Sequence, residues 1–360
     1  MRMKTLGFIL LFVVSGYAAF SSDGAGLPGT GELLPEFMLK TPADNDESSY
    51  LGVSESDNYF DPSEIDAELV LIEVLSIYCM SCQQQAPVMN KVFRAINGDA
   101  SLRKKVKIIG IGTGNSDNEL GMFKTEKVVQ FPLIQDVDFR LHELLGEPRT
   151  PFMIFAKPDG HGDMVVVDAH LGLIKKPDEL LEMIGNSLNK DANKIAAKTG
   201  RRRYAAQLQE LEVPLSEDEL SKKISEALMA ENYTEIKLST GETIYYSDRG
   251  GSRIYARLVS RRIPCSDCHD AFFIYSFDSD GKYLNFVPIY LTRLGNREWD
   301  KSDVKKIDDR FRGKPVSDPV FFNPGVDAVT SATITSKLIY DTYEDTAKIL
   351  ELLKSEGFDK

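Results

Sequence analysis

Residues 69–82 read Leu-Val-Leu-Ile-Glu-Val-Leu-Ser-Ile-Tyr-Cys-Met-Ser-Cys, and this stretch decides the fold of the first half of the chain. Its first nine residues are mostly apolar and rich in branched side chains, which predicts a buried strand. Residues 82–97 then carry apolar side chains at four-residue steps, which predicts a helix. The Cys79/Cys82 pair therefore lies where a buried strand gives way to a helix.

The segments on the C-terminal side of this stretch continue the alternation of strands and helices. Turn residues separate short apolar runs from longer runs with helical spacing. The pattern predicts strands at 106–111, 151–155 and 164–168, and helices at 118–129 and 178–188. The resulting order, β-α-β-α-β-β-α, is typical of a mixed sheet flanked by helices.

The position of Cys79 predicts thiol–disulfide chemistry. A cysteine at a helix N-terminus faces unpaired amide groups, which stabilise its thiolate and lower its pKa. On this interpretation Cys79 is the exposed nucleophile, and Cys82 is the thiol that resolves the mixed disulfide. A structural disulfide, half of a zinc site and an idle pair are the alternatives.

Residues 33–190 resemble the thioredoxin superfamily, in particular its exported bacterial thioredoxin-like reductases. The segments that carry the resemblance are 35–39, 77–82, Pro87 and 149–151. The resemblance implies an α/β thioredoxin-like domain in which Pro151 is cis, lies against the dithiol, presents backbone to an incoming chain and keeps metal away. Tyr78 stands where most relatives have Trp, and the inner pair of residues 80–81 is uncommon, so the direction of electron flow stays open.

Glu73 is a charged residue inside the predicted buried strand. A buried carboxyl has a raised pKa, and such a group could carry protons to and from Cys82. The alternative is a carboxylate at the end of the strand that reaches solvent.

A second cysteine pair occurs in residues 264–269, Pro-Cys-Ser-Asp-Cys-His. This Cys-x-x-Cys-His pattern resembles the attachment site of c-type haem, which implies thioether bonds at Cys265 and Cys268 and His269 as iron ligand. A second axial ligand would be a methionine or one of the remaining histidines, His142, His161 and His170. A second redox dithiol, a zinc half-site and a static disulfide are the alternatives. As a dithiol, the pair could exchange electrons with Cys79 and Cys82.

Residues 327–336, Asp-Ala-Val-Thr-Ser-Ala-Thr-Ile-Thr-Ser, precede a predicted helix at 336–353. They resemble the flavinylation motif of FMN-binding domains in ion-pumping redox complexes, which implies FMN on Thr333. Ser331 stands where that family has glycine, a departure that could hinder attachment. The resemblance spans about residues 235–350 and implies an α+β FMN-binding-like domain. The alternative is a helix N-terminus capped by serine and threonine.

Length and composition limit the remaining possibilities. The chain has 360 residues, enough for two or three domains. Its net charge of −12 disfavours nucleic acid as a partner. We expect a cleaved signal peptide at 1–19, or else an uncleaved anchor, because a short basic region precedes about nine apolar residues. The other predicted units are a linker and initial segment at 20–65, a thioredoxin-like domain at 66–190, a helical connector at 191–232 and the FMN-binding-like domain at 233–360.

The expected function is that of an extracytoplasmic thiol–disulfide oxidoreductase acting through Cys79 and Cys82. Its expected location is the periplasm or the cell exterior, and its expected partners are protein thiols or disulfides and a membrane redox partner. Two other classes stay open. One is a haem- or flavin-containing electron carrier with a thioredoxin-like docking domain, and the other is a non-enzymatic secreted binding protein with structural cysteine pairs.

Overall fold

The computed structural model describes residues 26–208, 210–265 and 268–358. The predicted signal peptide at 1–19 lies outside the described residues. Within them, no helix is both long enough and apolar enough to cross a membrane. The elements of the first half are, in chain order, β1 (Leu39–Lys40), α1 (Asn45–Leu51), β2 (Tyr59–Phe60), β3 (Leu69–Leu75), α2 (Met80–Gly98), β4 (Val106–Thr113), α3 (Asp117–Lys127), β5 (Leu133–Asp136), α4 (Arg140–Leu144), β6 (Phe152–Pro158), β7 (Met164–Leu171), α5 (Pro177–Leu188) and α6 (Ala192–Lys198).

The first sheet has the strand order β5-β4-β3-β6-β7. β3 is central, parallel to β4 and antiparallel to β6, and each of its seven residues is buried. Leu69, Leu71 and Leu75 pack in the cluster that contains α2 and α5, while Val70 and Ile72 pack against the N-terminal segment on the other face. Because both faces are covered, the residues of the strand are apolar on both sides instead of alternating with polar ones, and Glu73 is the exception.

The second half is built on an antiparallel sheet of order β12-β11-β10-β9-β8. Its elements are α7 (Glu217–Leu228), β8 (Thr234–Lys237), β9 (Thr243–Arg249), β10 (Ser252–Arg261), β11 (Ala271–Asp278), β12 (Tyr283–Tyr290), β13 (Thr292–Arg293), β14 (Arg297–Glu298), α8 (Lys301–Phe311), α9 (Pro324–Asp327), α10 (Thr333–Glu344) and α11 (Thr346–Ser355). Alternate residues of β10 face opposite layers, so that Ile254 and Ala256 meet α7 while Tyr255 packs in the cluster of α10 and α11.

Several local predictions are wrong. Part of the linker and initial segment predicted at 20–65 is helix α1, for which Asp44 is the N-cap. The four-residue strand β5 and the five-residue helix α4 were not predicted, because elements this short carry little periodicity. The single helix predicted at 336–353 is two helices, α10 and α11, which meet at Asp345.

The predicted helical connector at 191–232 contains the helices α6 and α7, and the described residues between them, including the basic run at 201–203, are not helical. Arg201 pairs with Asp159, Arg202 with Glu32, and Arg203 with Asp163, all in the first half of the chain. These arginines therefore tie the connector back onto the first sheet instead of leaving the run free in solvent.

Candidate redox site

Cys79 is the N-cap residue of α2, with extended backbone at φ −80° and ψ 121°. The turn before it is fixed by two side chains from neighbouring segments. Asn115 Oδ1 accepts a hydrogen bond from the Ile77 amide at 3.0 Å, and Gln83 Nε2 donates to the Ile77 carbonyl at 2.8 Å. The predicted location of the dithiol at the junction of β3 and α2 is confirmed.

The loop at 149–151 lies beside Cys79. The Thr150–Pro151 peptide bond is cis, as the family resemblance implied. Cys79 Sγ is 3.4 Å from the Thr150 carbonyl oxygen, so the residue before the proline touches the first sulfur. Sheet order, helix position and cis-proline together form the thioredoxin-like arrangement predicted for the first half.

The segment that carries the second cysteine pair docks on this same loop. The amide and the hydroxyl of Thr150 each donate to the Pro264 carbonyl at 2.6 Å, and Thr150 pairs with Cys265 as in a parallel strand. Arg149 donates to the carbonyls of Ile263 and Cys265 and forms a 2.8 Å ion pair with Asp270. We call this arrangement the docking contact.

Docking brings the two cysteine pairs together. Cys265 pairs with Thr150, whose carbonyl oxygen is 3.4 Å from Cys79 Sγ, and both Cys79 and Cys268 influence the pKa of the Cys265 thiol. The Cys268 amide donates to the Cys265 carbonyl at 3.3 Å. All four thiols are free.

The expectation that Cys79 is exposed is wrong for this arrangement. Cys79 is 0% exposed, and both Cys82 and Cys265 are 2% exposed. The docked segment lies beside this sulfur, because Cys265 pairs with Thr150, whose carbonyl oxygen is 3.4 Å from Cys79 Sγ. Cys268, by contrast, is half-buried.

The three buried thiols have very different acidities. Hydrogen bonds from the Cys265 and Cys82 thiols lower the pKa of Cys79 far below its usual range, as does the hydroxyl of Thr150. Burial, followed by the adjacent Cys79, raises the pKa of Cys82. Hydrogen bonding to Cys268 and Cys79 raises the pKa of Cys265. Cys79 is therefore the thiolate of the group, and its neighbours are proton donors to it.

Glu73 lies beneath this sulfur cluster. Its side chain is buried, and its Oε1 accepts a hydrogen bond from Gln85 Nε2 at 2.7 Å. Burial is the main cause that raises the pKa of Glu73 to about 7, and the Cys79 thiolate adds to it. The alternative of a carboxylate that reaches solvent is wrong. A buried group that titrates near neutrality suits proton transfer to and from Cys82.

Replacing Glu73 by glutamine will remove a pH-dependent cost to stability. The pKa of Glu73 is higher in the folded chain than in the unfolded one, so the unfolded state loses its proton first and wild-type stability falls as pH rises from about 4.5 to 7. At pH 8 we expect Glu73→Gln to be more stable than wild type by about 3 kcal/mol, and equally stable below pH 4.5.

Urea unfolding at several pH values measures this difference. Glu36→Gln is the matched control, because the Glu36 side chain is 79% exposed. An equal, pH-independent effect of both substitutions would contradict a buried, raised carboxyl.

The arrangement of the second pair does not fit c-type haem. Thioether bonds need both sulfurs accessible to the porphyrin, whereas Cys265 is buried against Cys79. His269 is exposed, and its ring packs edge-on against Tyr290 at 5.3 Å between centroids. His142 is buried and hydrogen-bonded to the Pro148 carbonyl at 2.9 Å. Among the described residues, no cluster of three or more His, Cys, Asp or Glu could hold a metal ion.

The backbone of the FMN motif agrees with the resemblance at one position. Ser331 has φ +61°, a conformation that favours glycine, and its side chain is exposed. Thr333 is half-buried and is the first residue of α10, so a phosphate on its hydroxyl would lie at the positive end of the helix. The N-cap is Ala332 without a side-chain cap, and the hydroxyl of Ser336 accepts a hydrogen bond from the Val329 amide at 2.9 Å, so one serine of the motif has a structural role. FMN on Thr333 stays a prediction.

Sequence reasoning missed three residues of the site. Arg149 and Asp270 join the two halves, and Gln85 holds Glu73 while its own Oε1 accepts from the Ile174 amide at 2.9 Å. The position of Gln85 in the sequence could have indicated its role, because it lies one helical turn after Cys82. Nothing in the local sequence connects residues 149 and 270, because only the fold brings them together.

Comparisons with known proteins give structural neighbours only for part of the chain. No protein-family model matches it, and no curated protein sequence does. A protein assigned as the thiol:disulfide interchange protein DsbE of Chlorobium tepidum is similar with a TM-score of 0.35 and 18% identity, over 45% of this chain and 99% of that one. StoA from Bacillus subtilis is similar with a TM-score of 0.30 and 14% identity, over 42% and 96%.

A thiol:disulfide interchange protein from Bacteroides sp. is also similar, with a TM-score of 0.33 and 16% identity, over 46% of this chain and 95% of its own. Each match covers less than half of this chain.

Proposed function

We propose that this protein is a thiol–disulfide oxidoreductase in which Cys79 and Cys82 exchange electrons with Cys265 and Cys268 of the same chain. The observation that carries the proposal is the docking contact, in which Thr150 pairs with Cys265 while its carbonyl oxygen lies 3.4 Å from Cys79 Sγ. The strand-like pairing of Thr150 with Cys265 supports it, because it places the C-terminal pair on the loop that the family resemblance assigns to an incoming chain.

The exchange balances as two successive displacements. The Cys79 thiolate attacks Cys265 in a Cys265–Cys268 disulfide, a Cys79–Cys265 bond forms, and Cys268 leaves as thiolate. Cys82 gives its proton to Glu73 and attacks Cys79, so that a Cys79–Cys82 disulfide forms and Cys265 leaves. Two electrons have then moved to the C-terminal pair, whose sulfurs leave as thiolates, and one proton has moved from Cys82 to Glu73. The reverse direction passes through the same mixed disulfide.

We further propose an extracytoplasmic location, on the basis of the predicted signal at 1–19, since disulfides persist in that environment. Exchange between buried pairs also accounts for the second motif without haem. A purely structural role for the pairs leaves the acidic Cys79 and the buried Glu73 without a purpose. A flavin on Thr333 would add a second redox group to the same chain, and visible absorption near 450 nm of the purified protein tests for it.

The test of the exchange is a trapped disulfide in the full chain. In Cys82→Ser/Cys268→Ser only the two contacting sulfurs remain, and mild oxidation with diamide is expected to link them completely. The matched control is Cys79→Ser/Cys265→Ser, which keeps the two outer cysteines and is expected to stay unlinked. Non-reducing peptide mapping by mass spectrometry measures the link. Absence of a Cys79–Cys265 bond, or equal linking in the control, would overturn the proposal.

A further inference from the structure

We propose that Cys268 is the sulfur through which the protein exchanges electrons with its external partner, a molecule that bears a dithiol or a disulfide. This inference rests on the proposed exchange between the two pairs and adds where electrons enter or leave the chain. It differs from the usual expectation for a thioredoxin-like domain, in which the first cysteine of the helix meets the partner directly.

Accessibility is the first argument. Cys79, Cys82 and Cys265 are each at most 2% exposed, whereas Cys268 is half-buried. The docking contact occupies the loop before Pro151, so an external chain cannot pair with Thr150 while Pro264 accepts both of its hydrogen bonds. Of the four sulfurs, Cys268 is the one that a partner reaches in the docked arrangement.

The orientation of the second pair is the second argument. Cys265 is buried in the docking contact beside Cys79, whereas Cys268, whose amide donates to the Cys265 carbonyl, is half-buried. A disulfide between them is therefore attacked at Cys265 from inside the protein and at Cys268 from outside. Each attack expels the other sulfur, which is the arrangement that a relay between two partners requires.

The segment around Cys268 is fixed to the first half of the chain on both sides of this residue. Asp270 forms an ion pair with Arg149, and Cys265 pairs with Thr150. His269, next to Cys268, is exposed and packs only its ring edge on Tyr290. The partner surface that we infer is the one around Cys268 and His269.

The chemistry with a dithiol partner balances. A partner thiolate attacks Cys268 of the Cys265–Cys268 disulfide, and Cys265 leaves. The second partner thiol then attacks the mixed disulfide, releasing reduced Cys268 and oxidised partner. The Cys265 thiolate next attacks Cys79 of a Cys79–Cys82 disulfide, Cys82 leaves and takes a proton from Glu73, and Cys268 attacks Cys265. Two electrons have passed from the partner to the N-terminal pair.

Two measurements on the full chain test the proposal. The first measurement is the rate at which Ellman's reagent modifies the most reactive thiol of the reduced protein. We expect this rate to be at least about tenfold lower in Cys268→Ser than in Cys265→Ser, because only Cys265→Ser keeps Cys268. In the oxidised protein, dithiothreitol is expected to reduce the Cys79–Cys82 disulfide at least about tenfold more slowly in Cys265→Ser/Cys268→Ser than in wild type. Acid quenching, alkylation and mass spectrometry measure the second rate.

The outcomes separate this proposal from the one on which it rests. If each pair of compared rates were equal while the Cys79–Cys265 disulfide was still trapped, access through Cys268 would be overturned and the internal exchange would stand. Another outcome is that Cys268→Ser reacts more slowly with Ellman's reagent, but no disulfide is trapped and the Cys79–Cys82 disulfide is reduced at the wild-type rate. This outcome would show only that Cys268 is a reactive thiol, and it would overturn both proposals. Slowed reduction together with the trapped disulfide supports both.

Discussion

Replacing Arg149 by alanine will make Cys79 reactive toward iodoacetamide, which the docked segment excludes in wild type. The Arg149 guanidinium donates to two backbone carbonyls of the docked segment and pairs with Asp270, and the two side chains are only 23% and 20% exposed. Truncating one member of a buried hydrogen-bonded charge pair typically costs about 2–5 kcal/mol, and for this half-buried pair we expect the lower end, about 2 kcal/mol. The balance between docked and undocked chain then shifts by about 30-fold or more.

The rate of carboxamidomethylation at Cys79, followed by mass spectrometry at pH 7, measures this shift. Arg203→Ala is the matched control, because Arg203 also pairs with a carboxylate, Asp163, but lies outside the docking contact. Its Cys79 should react at the wild-type rate. If Arg149→Ala left Cys79 as unreactive as in wild type, the docking contact could not be what covers this sulfur.

Replacing Cys265 by alanine will raise the pKa of Cys79. The hydrogen bond from the Cys265 thiol is the largest cause of the low pKa of Cys79, ahead of the hydrogen bond from Cys82. Alanine removes this donor while the backbone of the docking contact remains. We expect the pKa of Cys79 to rise by at least about one unit, which corresponds to roughly 1.4 kcal/mol of lost thiolate stabilisation.

Thiolate absorbance at 240 nm as a function of pH measures the titration. Cys265→Ser is the matched control, since its hydroxyl is a donor of nearly the same size and should keep the pKa of Cys79 low. The same rise in both variants would mean that the sulfur itself, and not hydrogen bonding, sets the acidity of Cys79. If the pKa of Cys79 rose in neither variant, the N-terminus of α2 and the Cys82 thiol would be sufficient to explain its low pKa.

The first half of the fold was accessible from sequence because its signals are local. The apolar run at 69–77 specifies a strand buried on both faces, and the glutamate within it had to be either buried or at the strand's end. The wrong predictions concern segments where local pattern is weak or is overridden. The basic run at 201–203 looks solvated until the fold brings Asp159, Glu32 and Asp163 next to it.

For the second cysteine pair, too, the local sequence allows several roles, and distant residues distinguish between them. The Cys-x-x-Cys-His pattern is compatible with haem, a dithiol or a zinc half-site, because each needs only the spacing of the two sulfurs. Burial of Cys265 against Cys79 is what disfavours haem here, and burial depends on a contact between residues more than 180 positions apart in the chain.

A Cys-x-x-Cys pair at the start of a helix, after a buried strand, follows from the order of the residues, because strand periodicity, helix periodicity and cysteine spacing are properties of neighbouring residues. Three other features follow only from the folded chain: Cys79 is buried, Cys265 lowers the pKa of Cys79, and Cys268 is the least buried of the four cysteines. The reason is that exposure and acidity depend on which distant groups the folded chain places around an atom, and local spacing does not contain that information.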